Sequence, residues 1–327
     1  MSGRNIGIWL IGAWGRVGTA LAVVLAGLQS RSIAPDRFVT DGLVTEQPEF
    51  APLALADWTS FVVGGHEIRK TSAAVEARNL FAGARSISDD LLNAIGPSLA
   101  AWDRNVRTGT LLNAGPQAES LASAATLKTR GERPATALRR IAVDLDEFRT
   151  TAHLDAVIVI NVASSEPIAS PGSRGLTAQE LLQLLEHADR SPVPASVLYA
   201  AAALQSGCSY LNFTPSFGSD IPALKELALQ TGSLHMGRDG RTDLAAIGLL
   251  NSPAPAEDGP RRDLLRAARA LLDLSRLCER EQRRGQAGLL APLACFFERP
   301  MGDVPVDTPS QVRLLREWVD RVSAESC

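Results

Sequence analysis

Apolar positions along the chain fall into two recurring patterns. Short unbroken runs rich in β-branched residues, 5–11 (NIGIWLI) and 155–161 (DAVIVIN), have the length and composition of strands buried on both faces. Residues 58–64 (WTSFVVG), 210–213 and 244–250 are further strand candidates. Between them, residues 17–28, 144–151, 178–188, 196–206, 222–231, 262–284 and 310–322 carry apolar side chains at helical spacing. Residues 71–127 are alanine-rich and read as mostly helical, with breaks at Gly96-Pro97 and Gly115-Pro116. Strands alternating with helices predict an α/β fold: a Rossmann-like, doubly wound, mostly parallel sheet with helices on both faces. Residues 251–262 contain the loose stretch Asn251-Ser-Pro-Ala-Pro-Ala-Glu-Asp-Gly-Pro260. They divide a domain over 1–250 from a helical segment over 263–327, expected to pack back on it.

The turn after the first strand is Gly12-Ala13-Trp14-Gly15-Arg16-Val17-Gly18, a GxxGxxG. A strand that turns sharply into a helix exposes backbone N–H groups at the positive end of that helix, which suits a pyrophosphate. Gly15 lets the backbone approach phosphates, and Gly18 lets the helix sit close to the strand. This predicts dinucleotide binding. Trp14 is bulky at a position where many such loops are small. Asp36, Asp41 and Glu46 are the candidates for a ribose contact.

In a doubly wound sheet, ligands sit outside the carboxyl ends of the strands. Three loops qualify there. Gly64-Gly65-His66-Glu67-Ile68-Arg69 combines close-approach glycines with polar residues that could bind ribose or adenine. Asn161-Val-Ala163-Ser164-Ser165-Glu-Pro167 offers Asn, Ser and Glu groups that suit cofactor or substrate hydroxyls. Asn212-Phe-Thr-Pro-Ser-Phe-Gly-Ser219-Asp220 precedes a helix, for which Asp220 fits an N-cap.

Composition narrows the function classes. With 33 basic and 36 acidic residues the formal charge is −3, which argues against nucleic acid as a partner. The apolar fraction of 45% supplies a sizeable core. No apolar run spans a bilayer, and the run at 6–11 is too short for a signal peptide. Cys208, Cys278, Cys295 and Cys327 lack metal-ligand spacing and read as reduced thiols of a cytoplasmic protein. Histidines 66, 153, 187 and 235 are scattered, and no metal site is expected. Positive charge is almost wholly arginine: the lysines are Lys70, Lys128 and Lys225, and none follows.

Taken in order, GAWGRVG, GLVTEQPEF, FVVGGHEIR, VINVASSEP, YLNFTPSFGSDIPAL and GRDGRT resemble the myo-inositol-phosphate synthase family, most closely a bacterial branch. The resemblance resumes at LLDLSRL (271–277), GLLAPLACFF (288–297) and Arg299-Pro-Met-Gly302. It implies an NAD-dependent isomerase. Such an enzyme converts glucose 6-phosphate to inositol 1-phosphate (also named 3-phosphate) by oxidation, enolisation, aldol ring closure and reduction. Carried onto this chain, Gly12, Gly15 and Gly18 hold the pyrophosphate. Ala13, Trp14, Arg16, Val17, Gly65, His66, Asn161, Ala163, Ser164 and Ser165 line the NAD site, and Ser219, Asp220 and Asp239 face the nicotinamide and substrate.

The departures fall after Thr242. There the family pattern continues with Gly-Glu/Gln-Thr and then lysines that bind the sugar phosphate and stabilise the enolate. This chain has Asp-Leu-Ala-Ala-Ile and then the linker. Arg241 stands where the first basic residue would be, and the family's central catalytic and tetramer-forming segment has no counterpart. Arginine grips phosphate but is a poor base, so the resemblance implies binding more directly than turnover. Three readings remain: a synthase-type isomerase, a non-catalytic NAD-binding paralogue, and an NAD-dependent polyol oxidoreductase with His235 or Asp220 as its base. A homo-oligomer fits any of them, with the family's tetramer interface lost.

Overall fold

In this computed structural model, the described residues are 4–35, 38–41, 53–84, 87–164, 166, 175–249 and 260–324. The hexapeptide IGIWLI forms the central strand β1 (Ile6–Ile11), buried at every position. Its side chains alternate between two cores. Ile6, Ile8 and Leu10 join one, while Trp9 and Ile11 join the other. Around it are β2 (Phe61–Glu67), β3 (Val106–Thr108), β4 (Ala156–Asn161), β5 (Ser209–Asn212), β6 (Leu234–Gly237) and β7 (Gly288–Leu289). Among the described residues the sheet has seven strands in the order β3-β2-β1-β4-β5-β6-β7. Every pairing is parallel, which sharpens the expected mostly parallel sheet.

Helices cover both faces. The first layer holds α1 (Arg16–Gln29), α2 (Ala73–Phe81) and α3 (Asp89–Asp103). Two short helices, α4 (Pro116–Leu121) and α5 (Ala124–Leu127), follow β3. The opposite layer is α6 (Pro134–Thr151), α7 (Ala178–His187), α8 (Ala195–Gln205) and α9 (Pro222–Gln230). Helices α10 (Pro260–Arg283) and α11 (Thr308–Ala324) return to the first layer, α10 lying along α1. Among the described residues no helix is long and apolar enough to cross a membrane.

Local chemistry explains where the elements depart from the sequence reading. Asp57 accepts from the Thr59 amide at 2.8 Å, so Trp58–Ser60 closes as a 3₁₀ turn and the strand begins only at Phe61. Helix α3 runs through Pro97 instead of breaking there, held by the buried Ile95, Leu99 and Trp102 around it. Residues 244–249 are not a strand. Asp243 accepts from the Ala246 amide at 3.2 Å, and the Leu249 amide returns to the Leu244 carbonyl at 3.1 Å, which makes turns. The last strand position is taken by β7 instead. Helix α10 starts at Pro260, inside the span read as linker, and residues 250–259 lie outside the described set.

The chain winds from β1 outward to β2 and β3, then crosses to β4 on the other side of β1. The crevice outside the carboxyl ends of β1 and β4 is therefore the switch point at which such a sheet binds ligands.

Candidate functional site

The β1–α1 turn is built to carry a phosphate. Gly12 has φ +83°, a conformation that suits glycine, and lies against Ala163 at the end of β4. A Cβ on Gly18 would stand 2.3 Å from the Ala13 carbonyl oxygen, so only glycine lets α1 start this close to the turn. Gly15 is the N-cap of α1, with no side-chain cap and no acidic residue in the first turn, so the helix's positive end is left for an anion. Earlier amides are already bonded. Those of Gly12 and Ala13 donate to the His66 carbonyl at 2.9 and 3.0 Å, and that of Gly15 donates to the Gly12 carbonyl at 3.0 Å. The fourth, from Trp14, donates to Glu67 Oε2 at 2.9 Å.

A cleft of about 280 Å³ opens at this turn. Of the residues singled out in the sequence, Gly12, Gly15, Arg16, Val17, His66, Asn161, Ala163 and Ser164 line it. Ala13, Gly18 and Gly65 are buried behind it. Trp14 is turned away: it is 2% exposed in the first core, and its bulk leaves the cleft free. Ser165 lies outside the described residues, as do Asp36 and Glu46.

His66 is a support more than a free ligand. The indole N–H of Trp9 is a donor only, so Nδ1 of His66 accepts from it at 2.9 Å. The proton then sits on Nε2, which donates to Asp144 Oδ2 at 3.0 Å. Burial depresses the imidazole pKa, and the Asp144 carboxylate works against that shift. Asn161 is buried between strands: its amide donates to Asn212 Oδ1 at 3.3 Å and its oxygen accepts from the Ala163 amide at 3.2 Å, which shapes the loop after β4.

Thr110 and Tyr199 escaped the sequence reading, whereas Glu67 and Glu166 lie in two of the loops it singled out. Glu67 ends β2 and is the acidic residue at the strand end where a ribose contact belongs. Candidates were sought among residues 36–46, close behind the glycine turn. Strand β2 comes later, so Asp41 is instead bonded to Trp58 Nε1 at 3.0 Å and Arg276 Nη1 at 2.9 Å. The Glu67 carboxylate also accepts from the Ile68 and Arg69 amides and pairs with Arg69 Nη2 at 3.0 Å. Arg69 Nη2 in turn donates to the Trp14 carbonyl. On the far wall, Glu166 accepts from both the amide and the hydroxyl of Ser196 at 2.6 Å, and burial raises its pKa. Tyr199 lies beside them, its hydroxyl accepting from the Thr110 amide at 3.0 Å, with burial holding its pKa up.

The residues expected at the substrate end lie one loop further along the sheet. Ser219 is fully buried, 3.1 Å from His235 Nδ1, and does not line the cleft. Asp220 does not cap α9. Ile221 is the N-cap, and Asp220 pairs with Lys225 at 3.1 Å and Arg238 at 3.9 Å. Asp239 pairs with Arg299 at 2.8 Å. Arg241 donates to the carbonyls of Cys295 and Phe297 at 3.1 and 3.4 Å and pairs with Glu298 at 3.2 Å, tying its loop to the C-terminal segment. Among the described residues no group of His, Cys, Asp or Glu could hold a metal ion.

Comparison with known proteins agrees with this geometry. The model of a family designated NAD-binding and described as myo-inositol-1-phosphate synthase matches residues 6–319. The inositol-3-phosphate synthase of Drosophila melanogaster is 34% identical over 113 residues, covering 33% of this chain and 20% of that protein. The chain spans about a sixth to just under half of the length of the curated relatives it matches. The crystal structure of inositol-3-phosphate synthase from Caenorhabditis elegans superposes with a TM-score of 0.71 at 16% identity, covering 99% of this chain and 86% of that one. A myo-inositol-1-phosphate synthase-related protein from Thermotoga maritima gives 0.66 at 16% identity, over 97% and 98% of the two chains. At that identity the likenesses speak to the fold alone. The uncapped α1 terminus, the glycine cradle and the acidic end of β2 fit a dinucleotide. With nearly its whole length matched, this chain belongs to the myo-inositol-1-phosphate synthase family, whose cofactor is NAD.

Proposed function

We propose that this chain binds NAD in the β1–β4 cleft and works on a sugar phosphate in the manner of its family, glucose 6-phosphate to inositol 1(3)-phosphate being the reaction concerned. The observation that carries the cofactor half is the glycine cradle, with the free positive end of α1 opening into the cleft. Arg16, the first helical residue, is exposed at the cleft and adds a positive charge there. Glu67 lines the cleft at the end of β2 and holds the glycine turn in shape, and the Glu166–Ser196 pair fixes the opposite wall. When bound, NAD supplies a hydride acceptor that the same catalytic cycle restores.

Ring closure is the weak step. It develops negative charge on an oxygen, and positioned cations lower that barrier by about 3 kcal/mol each. Arg241 supplies none, because carbonyl oxygens and Glu298 engage its guanidinium. The expected activity is slow. The same observation favours a second reading, a non-catalytic NAD-binding paralogue. His235 gives little support to a polyol oxidoreductase: burial first, then Lys225, pull its pKa to about 4, where it is a feeble base. The proposal includes a cytoplasmic protein, a division at the 251–262 stretch, and a weakened or absent family tetramer.

Incubation of the protein with NAD and glucose 6-phosphate, followed by an inositol phosphate assay, decides between these. Product eliminates the non-catalytic reading. NAD binding without product supports it, and absence of NAD binding overturns both.

A further inference from the structure

Beside the cofactor cleft, three elements bring charged groups together outside the carboxyl ends of β5 and β6. Helix α9 contributes Lys225, the residue after β6 is Arg238, and the loop after β5 ends in Asp220. Asp220 is shared, at 3.1 Å from Lys225 Nζ and 3.9 Å from Arg238 Nη1. One carboxylate between two cations leaves the trio with a net charge of about +1. The surrounding carboxylates are engaged elsewhere: Asp239 with Arg299 at 2.8 Å, and Glu226 with the Ala178 amide at 2.9 Å.

We propose that Lys225 and Arg238 form the seat of the substrate's phosphate group. This deepens the reading given above and rests on it for the identity of the substrate. Arg238 is pre-set for the task. Its guanidinium lies over the Phe217 ring at 5.2 Å, and its Nε is buried without a hydrogen-bond partner. A buried guanidinium N–H without an acceptor is unfavourable unless a ligand completes it. Both cations remain reachable, with side chains 40% exposed for Lys225 and 21% for Arg238. A planar fork and a mobile ammonium together match a tetrahedral dianion better than they match a single carboxylate. A phosphate therefore competes with Asp220 for both, whereas a neutral polyol has nothing to offer them.

Position supports the assignment. The loop from Phe213 to Ile221 has Ser216 in the wall of the cleft and Asp220 in this cluster. Its middle is fixed, because the Gly218 amide donates to the Ser196 hydroxyl at 3.2 Å, and Ser196 also lines the cleft. A phosphate held here lies one loop's width from the cofactor. The seat thus supplies cations that the sequence after Thr242 does not.

Calorimetric titration of the full chain tests this with inorganic phosphate, glucose 6-phosphate and unphosphorylated glucose, each with and without NAD. The expected result is binding of both phosphates but not glucose. The variants Lys225→Met and Arg238→Met should weaken glucose 6-phosphate binding by about tenfold or more, and Lys225→Arg should restore most of it. NAD affinity should stay within about twofold, since neither side chain lines the cleft. Wild-type protein that binds neither phosphate under any condition, or variants that bind as the wild type does, would overturn the proposal. Phosphate binding without NAD binding leaves the seat standing and defeats the cofactor reading instead.

Discussion

Glu67 shows how one side chain can govern a whole site. Its carboxylate accepts the Trp14, Ile68 and Arg69 amides and pairs with the Arg69 guanidinium, so the glycine turn and the end of β2 share one anchor. Glu67→Ala strands those donors in a buried place. Hydrogen bonds to charged groups contribute about 2 kcal/mol each, partly offset by water entering the gap, so the expected loss is about 3 kcal/mol. Urea unfolding should show a lower midpoint with an unchanged slope, and NAD affinity should fall with it. Glu67→Gln, which keeps an acceptor, should lie between. A wild-type midpoint for the alanine variant would remove Glu67 from this role. His235 offers a residue-scale test by pH. Burial, then Lys225, lowers its pKa from 6.5 to about 4, so the folded state favours the neutral ring. Its contribution is complete above pH 6.5 and is lost as pH falls from there toward 4, on the order of 3 kcal/mol in all. Asp273 acts in the opposite sense: burial pushes its pKa from 3.8 up to about 6, so its contribution falls as pH rises across that window. The wild-type profile is therefore flattened. The difference between wild type and His235→Asn, measured by denaturation from pH 7 to 4, should isolate the histidine's share.

At the scale of elements, legibility followed the length of the hydrophobic signal. Strands β1 and β4 are six-residue apolar runs, buried at every position, and read directly. Helix α10 was equally plain from its apolar spacing. Strands β3 and β7 have three and two residues, too short to carry a period, and β6 is hidden in LHMG, where a buried histidine breaks the apolar run. The run 244–250 misled because hydrophobicity alone does not distinguish a strand from a buried turn, and Asp243 supplied the turn chemistry. Legibility of the site divided similarly. Glycines and strand-end polar groups were visible, Glu67 among them, although the ribose contact was also expected at Asp36, Asp41 or Glu46 because β2 comes late in the chain. The far wall at Tyr199 depends on a tertiary contact with Thr110 that no local pattern records. The same gap hid the polar face of α10. Asp273 accepts from the Val39 amide, and from the Thr40 amide and hydroxyl, at 2.9, 2.9 and 2.6 Å. Arg276 donates to Thr40 Oγ1 and the Ala56 carbonyl and lies over Trp58 at 4.2 Å. This helix therefore clamps the chain between α1 and β2. Asp273→Ala should cost about 3 kcal/mol by leaving the buried Val39 and Thr40 amides and the Thr40 hydroxyl without their acceptor. Hydrogen exchange should show the greatest loss of protection at residues 38–41. Protection there equal to that of the wild type would argue against a clamp.

At the scale of the molecule, the stretch at 251–262 divides the sequence but not the core. Leu265, Leu271, Leu272, Leu274, Phe296, Phe297, Leu315 and Val319 are all at most 1% exposed, in the same cluster as Ile6, Ile8 and the inner face of α1. The backbone crosses the division as well. Strand β7 pairs with β6, and the amides of Arg238, Arg241 and Met301 bond the carbonyls of Arg299, Phe296 and Gly237 at 3.0, 2.8 and 2.7 Å. Burying a large apolar side chain contributes about 2 kcal/mol, so eight of them outweigh the roughly 5–15 kcal/mol by which a whole domain is stable. Residues 1–249 without the rest should therefore lack a cooperative unfolding transition and should not bind NAD, although every cleft residue named above is present in them. Supplying residues 260–327 as a separate chain should restore both properties, because the pairing needs the segment and not the covalent link. Circular dichroism melts of the fragment, alone and mixed, check this, and a cooperative melt of residues 1–249 alone would show that the cofactor frame is an independent unit. Such a result would also relocate the Arg241 contacts. With Cys295, Phe297 and Glu298 removed, that guanidinium would be free to meet a substrate in the fragment, while in the intact chain it stays engaged and ring closure stays slow.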